Sequence, residues 1–148
     1  MITFRVESDP VPVFKELIGM LKEHKAESNQ FGESIPLEPD WRMYQVLHDM
    51  KTLHVVTARK DDDEVVGYCI DILSRHLHYP VILASNDIIF MTHKYRGHAL
   101  RLIKFVEEKL KEKKVGIWSV SVKPHVDFSP VLKKMGFDPL ESLYFRRL

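Results

Sequence analysis

Six consecutive residues, Arg96-Gly97-His98-Ala99-Leu100-Arg101, stand between an apolar run and a long amphipathic stretch. The pattern predicts a strand that turns into a helix at Tyr95-Arg96-Gly97. A helix start carries backbone N–H groups without partners and the positive end of the helix dipole, so it attracts anions such as phosphate. Amides of Gly97, His98, Ala99, Leu100 and Arg101 would line this start, and Gly97 lets the chain turn tightly and approach a ligand. Arg96, Arg101 and His98 add positive charge. The plainer reading of the same residues is a helix start with basic surface side chains. Upstream, Asp87 precedes Arg96 on the strand. Side chains alternate along a strand, so Ser85, Asp87, Ile89 and Met91 share one face up to any bulge. A carboxylate there can act as a general base. Equally, Asp87 can cap the strand start or pair with a surface lysine.

Strand and helix signals alternate around this junction. Ile2 to Val6 reads as a first strand, and Ser8 or Asp9 can cap the helix that follows, with Pro10 in its first turn. Val13, Phe14, Leu17, Ile18 and Leu21 recur at helical spacing. Residues 26–39 read as a loop, and a shorter helix covers Asp40 to Met50, with Trp41, Tyr44 and Leu47 or His48 on one side. Leu53 to Lys60 and Val65 to Leu73 are strands around the acidic turn Asp61-Asp62-Asp63-Glu64, a hairpin signal. Val81 or Ala84 to Met91 is the strand before the junction. The long helix from Gly97 to about Lys113 is expected to bury Leu100, Ile103, Val106 and Leu110, and to pair Glu107 with Lys111. Val115 to Val122 alternates as a strand. A short helix from Phe128 to Met135 stops at Gly136, and Leu140 to Leu148 closes the chain as a strand.

Composition narrows the class. The chain has 148 residues, enough for one domain with a real core, and is 45% hydrophobic and 29% charged. With 22 basic and 21 acidic residues its net charge is +1, so no global field argues for nucleic acid. Cys69 is alone in an apolar run, which excludes an internal disulfide and suits a reducing, cytoplasmic setting. No signal peptide and no run of membrane-spanning length is visible. His76 and His78 can share a strand face, but no cysteine or carboxylate pattern completes a metal site. Ser119 and Ser121 lack the glycine pattern of a nucleophile elbow. Lys109 to Lys114 reads as a solvated helix end.

Asp87 to Ile103 resembles motif A of the GNAT superfamily of acyl-CoA N-acyltransferases, in which a strand, an R-G-x-G-x-G/A loop and a helix hold the cofactor pyrophosphate. Arg96 and Gly97 match, whereas Ala99 and Arg101 stand where glycine or another small residue is preferred. His125 to Phe137 looks like motif B, N-x-x-A-x-x-L-Y-x-K-x-G-F. Lys134, Gly136 and Phe137 match, and Val131 replaces leucine. His125 holds the asparagine position and Leu132 the tyrosine position. The order of elements also follows the GNAT order over nearly the whole chain.

The resemblance implies an α/β (α+β) fold over residues 1–148: a mixed, mostly antiparallel sheet of six to seven strands flanked by about four helices. It implies acetyl-CoA as acyl donor and no metal. Backbone groups of Ile89 and Met91 would pair with pantetheine, Arg96 to Arg101 would hold pyrophosphate, and His125 would lie near the pantetheine arm. Asp87 has the parity of the acidic base that many family members carry on this strand. The family's usual acid, a tyrosine, is replaced by Leu132. Tyr144 and His125 are then the candidates for protonating the departing thiolate, each also readable as a packing or loop residue. The implied activity is transfer of an acetyl group to a primary amine by direct attack in a ternary complex. A GNAT-like domain without chemistry, acting as a binding or structural module, is the alternative. The partners are a CoA thioester and an amine acceptor, small molecule or protein, without nucleic acid or membrane. Glu33, Glu38 and Asp40 hint at a cationic acceptor, and a homodimer remains open.

Overall fold

The computed structural model describes residues 1–28 and 35–148. Among them run β1 (Thr3–Val6), α1 (Val11–Ser28), α2 (Trp41–Asp49), β2 (Leu53–Arg59), β3 (Val65–Arg75), β4 (Ile82–Met91), a 3-10 helix (His93–His98), α3 (Ala99–Glu112), β5 (Ile117–Ser119) and α4 (Ser129–Lys134). The five strands form one mixed sheet in chain order, antiparallel except for the parallel β4–β5 pair.

Alternation along the strands sends apolar side chains to both faces, and each face is covered by helix. On one face Val56, Cys69, Ala84 and Met91 meet Leu102, Val106 and Leu110 of α3. On the other Val55, Tyr68, Ile70 and Phe90 meet Val13, Phe14 and Leu17 of α1, with Trp41 and Tyr44 of α2 packed alongside. Local chemistry sets the helix ends. Asp9 Oδ1 accepts from the Val11 amide at the start of α1, and Asp40 Oδ1 from the Met43 amide at the start of α2. Gly136, at φ +88°, supplies the left-handed residue after α4.

Five expectations are corrected. The sheet has five strands among the described residues, not six to seven. Leu140 to Leu148 forms no strand; Leu140, Leu143, Tyr144 and Phe145 are exposed there, and β5 is only three residues long. That short strand replaces the expected Val115 to Val122 run, because β4 supplies partners only at Leu83, Ala84 and Ser85. In the long helix Leu100 is 41% exposed and Leu102 is buried in its place. The 3-10 helix delays the start of α3 to Ala99, and the buried stripe runs through Leu102, Ile103, Val106 and Leu110. Finally, α1 continues through residues expected to be loop, as far as Ser28. Glu33 lies outside the described residues.

Candidate active site

The fork between β4 and β5 is the central feature. Their pairing consists of Leu83–Ile117, Ala84–Trp118 and Ser85–Ser119. Beyond Ser85, β4 keeps its β3 partner through to Met91, while its other edge has no strand among the described residues. A wedge of backbone is thereby opened, leading toward the turn at Arg96.

A bulge stands where the fork opens. Ile70 pairs with Ile88, but Asp71 pairs with Asn86, so Asp87 is the extra residue on β4. Asn86 knits this irregularity: its Nδ2 donates to the carbonyls of Ile70 and Ile88, at 3.2 Å each, and to Asp71 Oδ1 at 3.1 Å. Asp71 is fully buried and also accepts from Trp118 Nε1 at 2.8 Å and Cys69 Sγ at 3.4 Å. Burial, then the neighbouring Asp71 carboxylate, pushes the Cys69 thiol well up, so it stays a donor. A buried carboxylate with several donors is tolerated where one without them would be costly.

The bulge ends the shared face at Asp87. Ile89 and Met91 pack toward α3, whereas Ile88 and Phe90 pack toward α1. Asp87 joins the α1–α2 side: it is exposed and accepts a hydrogen bond from the Tyr44 hydroxyl of α2. Ile89 and Met91 therefore do not share a face with Asp87, because the bulge adds one residue to a period-two pattern. Burial, then the hydrogen bond to Asp87, pushes ionisation of the Tyr44 phenol far up, so it remains a donor. Next to this pair, His24 Nδ1 and the Tyr68 hydroxyl share a hydrogen bond of 2.6 Å, and the His24 ring stacks on Phe90 at 4.9 Å. Burial, then the charge of Lys123, lowers the His24 pKa to about 4, so its imidazole is neutral near pH 7.

At the turn the expected amide cradle is rearranged. The 3-10 helix precedes α3, and the Ala99 amide donates to the Arg96 carbonyl. The first amide of that helix, His93 N, donates to Glu23 Oε1 at 2.8 Å. Arg96 is held by Glu27 Oε1 and by the Met91 carbonyl, the latter at 3.3 Å. Glu23 and Glu27, one turn apart on α1, thus place two carboxylates beside the turn expected to receive phosphates. Arg101 turns back on the last residue of the 3-10 helix and onto β1. Its Nη1 donates to His98 Nδ1 at 3.1 Å, and its guanidinium lies over the Phe4 ring at 5.3 Å. Gly97 has an ordinary φ, and a Cβ built there meets nothing within 4 Å. Packing does not demand glycine at this position. Room for a ligand would.

The remaining expected residues are dispersed. His125 is exposed, and its Nε2 donates to the Glu27 carbonyl at 2.8 Å. Tyr144 is 89% exposed in the terminal segment. Leu132 is buried where the motif carries tyrosine. Asp40 serves as the cap of α2, and Glu38 is exposed. Among the described residues no group of three or more His, Cys, Asp or Glu is placed to hold a metal ion, and no helix is long and apolar enough to cross a membrane.

No protein-family model matches the sequence, and no curated protein matches it. Solved structures do. An aminoglycoside acetyltransferase from an uncultured soil metagenomic sample, in complex with sisomicin, is 16% identical with a TM-score of 0.74, covering 99% of this chain and 96% of that one. Ribosomal-protein-alanine N-acetyltransferase from Brucella melitensis biovar Abortus 2308 is 17% identical with a TM-score of 0.73, covering 100% and 98%. Glucosamine-6-phosphate N-acetyltransferase from Arabidopsis thaliana is 10% identical with a TM-score of 0.71, again covering 100% and 98%. The chain has the GNAT fold. At these identities the likeness is one of fold, and it spans whole chains.

Within the GNAT fold, several residues of this candidate site carry no local sequence signal. Tyr44 was visible only as one aromatic on a helix face. Asp71 and Asn86 were polar residues inside strands, a pattern that can flag a buried network. Glu23 and Glu27 had the spacing of one helical turn, but nothing in the sequence says which surface that turn meets.

Proposed function

We propose that this chain, as one domain over residues 1–148, is an N-acetyltransferase that moves an acetyl group from acetyl-CoA to a primary amine. The observation that carries the reading is the fork: β4 parts from β5 after Ser85 and leads to a turn where Gly97 leaves space that packing does not need. The fit of a CoA thioester rests on three features of this chain. The free edge of β4 around Ile89 and Met91 offers backbone partners to an extended amide-bearing arm. Gly97, where an added Cβ would meet nothing within 4 Å, offers a close backbone approach for phosphates. Arg96 and His98 stand beside it, and His125 reaches the carbonyl of Glu27, whose carboxylate holds Arg96. Acetyl-CoA would supply an activated acyl group as a thioester.

Asp87 is the base in this reading. It takes a proton from the incoming ammonium, and the neutral amine forms the new carbon–nitrogen bond as the carbon–sulfur bond breaks. The products are an amide and the free thiol. The amine's second proton ends on sulfur, and Tyr144 and His125 remain the side-chain candidates to relay it. Catalysis rests mainly on holding amine and acyl carbon together. The acetyltransferases that share the fold are named for an aminoglycoside, a ribosomal protein and an amino sugar phosphate, which supports an amine acceptor without choosing its class.

Two observations favour a second reading, a GNAT-like binding module without turnover. Leu132 is buried at the motif's tyrosine position, and Glu27 occupies Arg96. Calorimetry with acetyl-CoA, followed by thiol release against a panel of amines and peptides, separates the two. Binding with turnover supports the enzyme, binding without turnover supports the module, and no binding at millimolar acetyl-CoA removes the enzyme and its cofactor. Native-state binding also raises unfolding stability, by about 2.7 kcal/mol at a hundredfold excess over Kd.

A further inference from the structure

We infer that Tyr44 is a positioning residue for Asp87, holding one carboxylate oxygen from α2 so that the other is presented to the acceptor amine. The inference rests on the proposed acetyl transfer and deepens it at the same site. Its basis is geometric. The bulge between Asp71 and Ile70 makes Asp87 the unpaired residue of β4, which leaves its side chain without the constraint of a regular ladder position. An exposed carboxylate at such a point would sample several rotamers. The Tyr44 hydroxyl removes that freedom by donating to Oδ2.

The donor is itself well held. The Tyr44 ring lies 5.5 Å from the Phe14 ring and 5.7 Å from Trp41, and Phe14 and Trp41 stack at 5.1 Å. Phe14 is buried in the core cluster shared by α1, β3 and β4, so the aromatic group ties α2 to the sheet beneath it. The Asp40 cap secures the first turn of α2, one turn before Tyr44. A phenol so placed gives a directional hydrogen bond to a charged acceptor, and such bonds are stronger than neutral ones. With Oδ2 engaged, Oδ1 is the oxygen left to receive the proton. Tyr44 touches neither donor nor acceptor in this scheme and acts through Asp87.

The test compares Tyr44→Phe, Asp87→Asn and the double variant. Tyr44→Phe keeps the ring and its packing and deletes only the hydroxyl. The expected result is a fall in kcat of roughly tenfold, a part of the roughly 10²–10⁴-fold available to acid–base catalysis. KM for acetyl-CoA and the calorimetric affinity for CoA stay as in the wild type. Adding Tyr44→Phe to Asp87→Asn produces no further loss, since the group it positions is gone. A readout independent of turnover is the Asp87 side chain in solution: three-bond NMR couplings report one dominant χ1 rotamer in the wild type and averaging in Tyr44→Phe. An unchanged kcat in Tyr44→Phe, an equal loss in both backgrounds, or an unaltered Asp87 rotamer overturns the inference. If wild-type protein fails to turn over any amine, the proposed function fails instead, and the NMR comparison still decides whether Tyr44 holds Asp87.

Discussion

The indole Nε1 of Trp118 donates to Oδ1 of Asp71 over 2.8 Å, joining β5 to β3 across the intervening β4. Trp118 sits in the middle of the three pairs that hold β4 and β5 together before they part. The bond therefore anchors the closed end of the fork, and Asn86 ties the same carboxylate to the bulge that releases Asp87. Trp118→Phe should lower unfolding stability by about 1–3 kcal/mol, the cost of leaving a buried polar group short of a partner. Urea denaturation of the variant measures it, and an unshifted midpoint would deny the bond this role.

Asp87→Asn tests the base. Acetyl transfer should fall roughly 10²-fold or more, while affinity for CoA barely changes. The deficit should shrink as pH rises, because more of the free amine is then deprotonated without help. Rates of thiol release across pH give the comparison, and full activity of Asp87→Asn on a good acceptor would assign the proton elsewhere.

Gly97 offers a probe in which stability and binding move in opposite directions. A Cβ there meets nothing within 4 Å, and the residue lies within the 3-10 helix. Gly97→Ala should stabilise the protein by about 0.5–1 kcal/mol, since glycine loses more backbone freedom on folding. Gly97→Val should cut CoA affinity sharply through its branched side chain at the phosphate approach. Thermal unfolding and calorimetry on both variants check the pair of effects.

Glu27 competes with any phosphate for Arg96. Their ion pair is partly exposed, so its worth lies within about 1 kcal/mol. Glu27→Gln should tighten CoA binding roughly two- to fivefold, the equivalent of about 0.5–1 kcal/mol. Titration calorimetry is sufficient. Weaker binding would mean that Glu27 supports the turn and does not oppose the ligand.

His24 links stability to pH. Its pKa falls from 6.5 to about 4 on folding, chiefly through burial, so the unfolded chain binds the extra proton first as pH drops. The stability that neutral His24 contributes is complete above about pH 6.5 and is lost toward pH 4. Denaturation midpoints measured between these values should decline less in His24→Gln than in the wild type. One proton sets the steepest possible difference, about 1.4 kcal/mol per pH unit.

Most of the fold was legible in the chain because its signals are local. Helical spacing located α1, α2 and α3, Asp40 announced the start of α2, and the acidic turn at Asp61 to Glu64 joined β2 to β3 as a hairpin. Arg96 and Gly97 marked the turn after β4 by type and spacing alone. What the tertiary structure decided depends on partners far along the chain. Asp87 changed face because the β3–β4 ladder slips by one residue there, and its hydrogen-bond partner lies 43 residues upstream. Arg96 met a glutamate 69 residues away, and Trp118 met an aspartate 47 residues away. Residues 140–148 carry strand-forming side chains but no strand, since a strand exists only where a neighbouring edge accepts its hydrogen bonds. Periodicity and capping are written in neighbouring residues. Register, bulges and the convergence of side chains are settled only when distant segments pack.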